Sequence, residues 1–161
     1  MAKLLATRTA QEVLSAEFVF NFNDTMVDTT GVLYNFSGAA TAGGVTQLPS
    51  VATGTRIFEV IKLPPNAVVV GGTYQTITAF DTAGYDISIG DAGSATRYVG
   101  VTDLKGAAAN PVALTLTGFA TTDTSKNVRM AVGTDDECTT GKFKIRVEYI
   151  IVDRATTTVP N

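Results

Sequence analysis

The sequence predicts an all-β protein: an antiparallel two-sheet sandwich of jelly-roll type with little helix. Three observations carry this. Apolar and polar residues alternate through several segments, while the spacing of an amphipathic helix is nearly absent. Gly, Pro, Asn and Asp turns cut the chain into about nine or ten short runs. No linker and no repeat of fixed period divides its 161 residues, which is the size of one compact domain. The expected organisation is an extended N-terminal arm over 1–12, a single sandwich over 13–154 and a polar tail over 155–161.

The first strand is expected from Val13 to Phe22, with Leu14, Ala16, Phe18, Phe20 and Phe22 on an aromatic inner face and Ser15, Glu17 and Asn21 opposite. A competing local reading exists at its start, where Thr9 and Glu12 fit a capping box and Ala10 to Ala16 would make two helical turns. After the turn Asp28-Thr-Thr-Gly31, alternation resumes at Val32, Tyr34 and Phe36 and gives way to a Gly- and Ala-rich loop from Ser37 to Gly44. A strand from Arg56 to Lys62 stops at Leu63-Pro64-Pro65-Asn66, because proline cannot donate to a ladder.

The β-branched run Ala67 to Val70 is expected to close at Gly71-Gly72, with a separate alternating strand from Tyr74 to Phe80. Asp86 to Ile89 is a short strand between glycines, and Ser94 to Val99 reads as one helical turn or an irregular crossing. Three strands follow: Val112 to Thr117 with Leu114 and Leu116 inward, Asn127 to Val132 with Val128, Met130 and Val132 inward, and Lys142 to Val152. In the last, Phe143, Ile145, Val147, Tyr149 and Ile151 alternate with Lys142, Lys144, Arg146 and Glu148. The turn Thr139-Thr140-Gly141 predicts that the two final long strands are antiparallel neighbours.

Composition excludes whole classes of chemistry. The chain has no His, no Trp and one Cys, which removes Ser-His-Asp and Cys-His nucleophiles, imidazole bases and His-containing zinc sites. A net charge of −3 disfavours nucleic acid as a partner. Cys138 has no second Cys to bridge, which points to folding in a reducing compartment. The start, Met1 to Arg8, breaks its apolar run after Leu4, Leu5 and Ala6, too short for a signal-peptide core. The longest uncharged stretch, Thr29 to Thr55, holds Asn35, Gln47, Pro49 and several glycines, so no membrane partner is expected. With only 17% charged residues and a mean hydropathy of +0.19, part of the exterior is expected to be buried against other subunits.

The candidate sites are few. Asp81, Asp86, Asp91 and Asp103 form a loose acidic set, and Asp135, Asp136 and Glu137 a second, but neither matches a metal-ligand loop, and Asp is favoured in turns. Gly90-Asp-Ala-Gly93 completes no phosphate loop, Asn23-Asp-Thr25 and Asn35-Phe-Ser37 match a glycosylation pattern at chance frequency, and the acidic neighbours of Cys138 raise its thiol pKa. No catalytic residue, cofactor or metal ligand is therefore assigned. Lys142, Lys144 and Arg146 form the only basic stripe on one strand face, either a partner-docking surface or a charged face that prevents mispairing.

Three segments carry a resemblance: Arg56-Ile-Phe-Glu-Val-Ile-Lys-Leu-Pro-Pro-Asn-Ala-Val-Val-Val, then Asp86-Ile-Ser-Ile-Gly-Asp91 followed by Ala95-Thr-Arg-Tyr98, and Ile145-Arg-Val-Glu-Tyr-Ile-Ile. Over roughly Thr55 to Arg154 the chain resembles small β-sandwich virion proteins of tailed bacteriophages, of the capsid decoration or cement type. The resemblance implies a noncatalytic protein, made in the bacterial host cytoplasm, that binds the outer capsid surface of the virion as a homotrimer and bridges subunits of the major capsid protein. The residues expected to meet partners are Lys3 and Arg8 on the arm and Lys142, Lys144 and Arg146 on the stripe. The alternative is a phage tail or adhesin module that recognises a host glycan through Tyr34, Tyr74, Tyr85 and Tyr98, and a carboxylate hydrolase is a third class.

Overall fold

The computed structural model describes residues 12–39, 43–50, 54–106, 110–117 and 127–152. Its elements are β1 (Leu14–Asn21), β2 (Thr25–Val27), β3 (Leu33–Asn35), β4 (Thr46–Gln47), β5 (Arg56–Ile61), β6 (Ala67–Thr78), β7 (Asp86–Asp91), β8 (Ser94–Asp103), β9 (Val112–Ala113), β10 (Val128–Gly133) and β11 (Lys142–Ile151). One four-stranded sheet has the order β1-β11-β6-β9 and the other β5-β10-β7-β8, both antiparallel throughout. Taken in chain order, with the short β9 included, the eight strands fall alternately in the two sheets except at the β7–β8 hairpin, which is the layout of a two-sheet sandwich. A small third sheet, β2-β3-β4, flanks the two and is an addition to the expected pair.

The core follows from the alternation. Phe20 of β1 lies 5.6 Å from Phe143 of β11 and 4.7 Å from Phe36, which in turn lies 5.1 Å from Phe58 of β5 (ring centroids), so a line of rings ties one sheet to the other. Phe143, Ile145 and Val147 are fully buried along β11, as are Val128, Met130 and Val132 along β10, each at the expected inward position. Tyr85, also fully buried, donates its hydroxyl to the carbonyl of Phe36 at 2.8 Å, which satisfies its one polar atom.

Several expectations are corrected. Residues 14–16 belong to β1, paired with Val147 to Tyr149, because Leu14 and Ala16 continue the apolar face of Phe18 and Phe20 and gain more from the sheet than from a short helix; the rest of the capping box, before Glu12, lies outside the described residues. The two runs around Gly71-Gly72 form one strand, β6, with a bulge where the register against Glu148 and Tyr149 slips. Gly72 is required there, since at φ 134° a Cβ would sit 2.3 Å from the carbonyl oxygen of Arg146 on β11.

Ser94 to Asp103 is a strand, not a helical turn; bulges in its pairing with β7 place both Tyr98 and Val99 inside and hide the alternation from the sequence. Leu116 is 48% exposed rather than inward. After β9 the chain crosses from one sheet to the other: the N–H of Leu114 donates to Gly72 of β6 and that of Thr115 to Tyr98 of β8, so strand alternation ends at Leu114. Finally, β10 and β11 are not neighbours. Their connector is held by the N–H of Thr134 on the Pro49 carbonyl and that of Cys138 on the Ser37 carbonyl, and it carries the chain from one sheet to the other.

Candidate functional site

The basic stripe lies on the outer face of the β1-β11-β6-β9 sheet. Alternation puts Phe143, Ile145 and Val147 inward and so forces Lys142, Lys144 and Arg146 outward. The register sets Asn21, Val19 and Glu17 of β1 beside them on one side and Thr78, Gln75 and Thr73 of β6 on the other. Lys144 Nζ lies 3.0 Å from Glu17, and Arg146 lies 3.1 Å from Glu148. These partners remain half-exposed, so each pair is worth about 0–1 kcal/mol and is readily exchanged for a partner's carboxylate. Lys3 and Arg8 lie outside the described residues, as does the rest of the arm before Glu12.

The β7–β8 hairpin end of the β5-β10-β7-β8 sheet is closed on itself. Asp91, at the end of β7, accepts the N–H groups of Gly93 and Ser94 at 2.7 and 2.9 Å and pairs with Arg97 of β8. Asp91 is fully buried at its side chain. Gly90 admits this hairpin, because a Cβ there would lie 1.9 Å from the carbonyl oxygen of Ser94. Beside it a cavity of about 150 Å³ is lined by Ile57, Arg129 and Ala131 together with the hairpin. Arg129 forks onto Glu59 at 2.7 Å, and Asn127 donates to the same carboxylate. The Arg129 hydrogen bond holds the Glu59 pKa below the ordinary value, outweighing the effect of partial burial.

The acidic residues divide into separate tasks. Asp81 clasps the turn before β11, accepting the hydroxyl and N–H of Thr139 and lying 3.0 Å from Cys138 Sγ; the Thr139 hydroxyl is the largest cause of its lowered pKa. Asp86 pairs in register with Asp103, and partial burial, followed by the charges of Asp103 and Asp135, raises its pKa. Among the described residues no group of three His, Cys, Asp or Glu side chains is placed to hold a metal ion. The thiol of Cys138 is pushed up to about 11, first by burial and then by its hydrogen bond to Asp81. The direction matches the sequence reading, but the cause is burial and Asp81 rather than Asp135, Asp136 and Glu137.

Tyr34, Tyr85 and Tyr98 are buried, and Tyr74 is half-buried against Phe143, so the rings proposed for a glycan platform are core residues. Phe18 and Phe22 likewise pack against the core beside the buried Phe20. Sequence reasoning missed the Asp91–Arg97 lock and the Asp81 clasp. Asp91 followed by Gly93 and Ser94 does signal a side-chain-capped turn, but nothing in the sequence says that Arg97 folds back over it.

No protein-family model matches the chain, and no curated protein does. Solved structures do share its fold. A chain of the cyanophage Pam1 capsid asymmetric unit is 24% identical with a TM-score of 0.58, the match covering 93% of this chain and 94% of that one. A chain of the acidic stable capsid of Helicobacter pylori bacteriophage KHP30 is 15% identical with a TM-score of 0.56, covering 91% of this chain and 94% of that one. At these identities the likeness is one of fold.

Proposed function

We propose that this protein is a noncatalytic bacteriophage capsid decoration protein: a homotrimer on the outer surface of the virion that stabilises the shell by bridging major capsid subunits. The observation that carries the reading is the end-to-end match to chains of two phage capsid structures, which extends over more than nine-tenths of both partners in each case. Those chains are therefore about the size of this one.

Physical chemistry supplies the mechanism. A protein that binds only the assembled lattice stabilises it by mass action, and many copies on a repeating surface turn a modest contact into a large total. The exposed cations of β11 suit this role, because their present partners hold them weakly. Lys142, Lys144 and Arg146 are the proposed shell contacts on the body, and Lys3 and Arg8 are proposed to meet a partner through the arm. No second reading is favoured, since burial of Tyr34, Tyr85 and Tyr98 removes the platform a glycan-binding module would use.

The test is co-sedimentation with expanded, undecorated phage shells. Full-length protein is expected to bind, while Lys144→Glu/Arg146→Glu and a truncation lacking residues 1–12 bind at least tenfold more weakly. No binding by the full chain to shells, together with retention on host cell-wall polysaccharide, would overturn the proposal.

A further inference from the structure

A sandwich of two open sheets has four edges, and each presents unpaired N–H and C=O groups unless something covers it. Three of the four are dealt with here. The N–H of Thr29 donates to Ile57 on the outer side of β5 at 2.9 Å, and that of Thr115 donates to Tyr98 on β8 at 2.9 Å. At the third edge β9 is only two residues long.

The fourth edge, β1, is different. Among the described residues its one sheet partner is β11. The bond from the N–H of Phe22 to the carbonyl of Gly141 sets the phase of that ladder, so Leu14, Ala16, Phe18 and Phe20 bond to β11 while Ser15, Glu17 and Val19 turn both backbone groups away from it. Asn21 also faces out but is closed locally, its N–H donating to Asp24 Oδ2 at 2.7 Å and its carbonyl accepting from the Asp24 N–H at 3.1 Å. Among the described residues nothing closes the stretch from Ser15 to Val19. Alongside it runs a groove of about 410 Å³, lined by Phe18, Val19, Asp24, Met26 and Phe36 among others.

We propose that this open edge takes an added strand, and that the strand is residues 3–8 of a second copy of the chain. A second β1 is a poor occupant: the antiparallel pairing that uses Ser15, Glu17 and Val19 on both sides sets Glu17 against Glu17. The edge and its groove carry Glu17 and Asp24, so the fitting occupant is an extended apolar run flanked by cations. Lys3-Leu-Leu-Ala-Thr-Arg8 is such a run, and with Leu4 and Ala6 on one side and Leu5 on the other it offers the groove an apolar side chain from either face.

Residues 1–11 precede Glu12 at the foot of β1, and at roughly 3.3 Å per residue they span about 36 Å, enough to reach a neighbouring subunit. Such a contact is heterologous, arm of one copy to edge of the next, and closes into a ring. The inference rests on the reading of the chain as a self-associating subunit and names what the arm would do in it.

Amide hydrogen exchange on the full-length oligomer tests it. The Glu17 and Val19 amides are expected to exchange at least tenfold more slowly than in a truncation lacking residues 1–8. Val19→Pro removes an outward donor without touching the β11 ladder, and is expected to dissociate the oligomer in gel filtration with the strand content unchanged. Should that variant not fold, the exchange comparison decides alone.

Mixing an Ala6→Cys chain with a Val19→Cys chain is expected to give a disulfide between copies, the native Cys138 thiol being buried and unreactive. Equal exchange with and without residues 1–8, or no disulfide between copies when the two single-cysteine chains are mixed, overturns the proposal. Shell binding is scored separately. Binding to shells with unprotected Glu17 and Val19 amides sinks the added strand and leaves the decoration reading standing, whereas protected amides without shell binding do the reverse.

Discussion

Asp91–Arg97 and Glu17–Lys144 are both ion pairs between neighbouring strands, yet they stand in opposite surroundings. The Asp91 side chain is fully buried and that of Arg97 is 15% exposed, against 47% for Glu17 and 33% for Lys144. Asp91 also accepts two backbone N–H groups of its own hairpin, so its charge holds the β7–β8 turn together. Among the described residues Glu17 and Lys144 pair only with each other, across two strands whose register the buried Phe20 and Phe143 already set. One pair therefore uses its charge to complete the fold, and the other leaves its charge available.

The sharpest way to break this contrast is Asp91→Ala. It leaves Arg97 without its buried partner and two hairpin N–H groups unmet, and is expected to cost about 3–5 kcal/mol in denaturant unfolding. A loss under about 1 kcal/mol would mean that Arg97 escapes to water, making the two pairs alike. Gly90→Ala strikes the same hairpin through its backbone: the new methyl overlaps the Ser94 carbonyl, and overpacking of this kind costs about 1–3 kcal/mol, read as a fall in Tm.

On the open face, Lys144→Ala and Glu17→Ala are each expected to cost less than about 1 kcal/mol, and a double-mutant cycle between them to give a coupling of about 0.5 kcal/mol or less. A coupling of several kcal/mol would erase the distinction. The smallest expected effect is in pH dependence. The Glu59 carboxyl is held low by Arg129. Partial burial raises that of Asp28, but hydrogen bonds from Val32 and Thr30 outweigh it and the net shift is downward. Both groups stabilise the folded state above their ordinary values of 4.5 and 3.8, and that stability is lost as the pH falls through their lower folded-state values.

Asp86 has the opposite sign. Its raised pKa means that the folded state prefers the protonated carboxyl, so Asp86→Asn is expected to raise Tm at neutral pH. The gain should vanish below the ordinary value of 3.8, where both states carry the proton. A Tm gain that persists there would assign the effect to something other than charge.

Most of the strands were legible because each rests on a local rule. The alternation of β1 and β11 names their inward residues, and Pro64-Pro65 ends the run that contains β5. Where two local rules compete, the reading failed. Gly71-Gly72 looks like a terminator but lies inside β6 beside a bulge at Val70, because the close passage of β11 decides what the glycines are for. The hairpin expected from Thr139-Thr140-Gly141 failed similarly. Gly141 lies with its missing Cβ 2.3 Å from the Phe80 ring, a tertiary demand that a turn-like triplet does not reveal.

Of the candidate surface, the stripe Lys142, Lys144, Arg146 could be read as a face, since alternation alone puts it outside. Its neighbours could not, because cross-strand register joins β11 to β1, at the far end of the chain. The open edge of β1 was invisible for the same reason. Whether an edge is covered depends on where Thr29 and Thr115 place their N–H groups, and both are long-range facts.

By itself the sequence determined the all-β class, the inward faces of β1, β10 and β11 and the absence of imidazole chemistry, because periodicity and composition are local properties. Tertiary structure alone decided the two sheet orders, the partner of each charge and the edge left open. Those depend on pairing between residues far apart in the chain, whose free energy comes from burying the shared line of Phe20, Phe36, Phe58 and Phe143 and is written in no single segment.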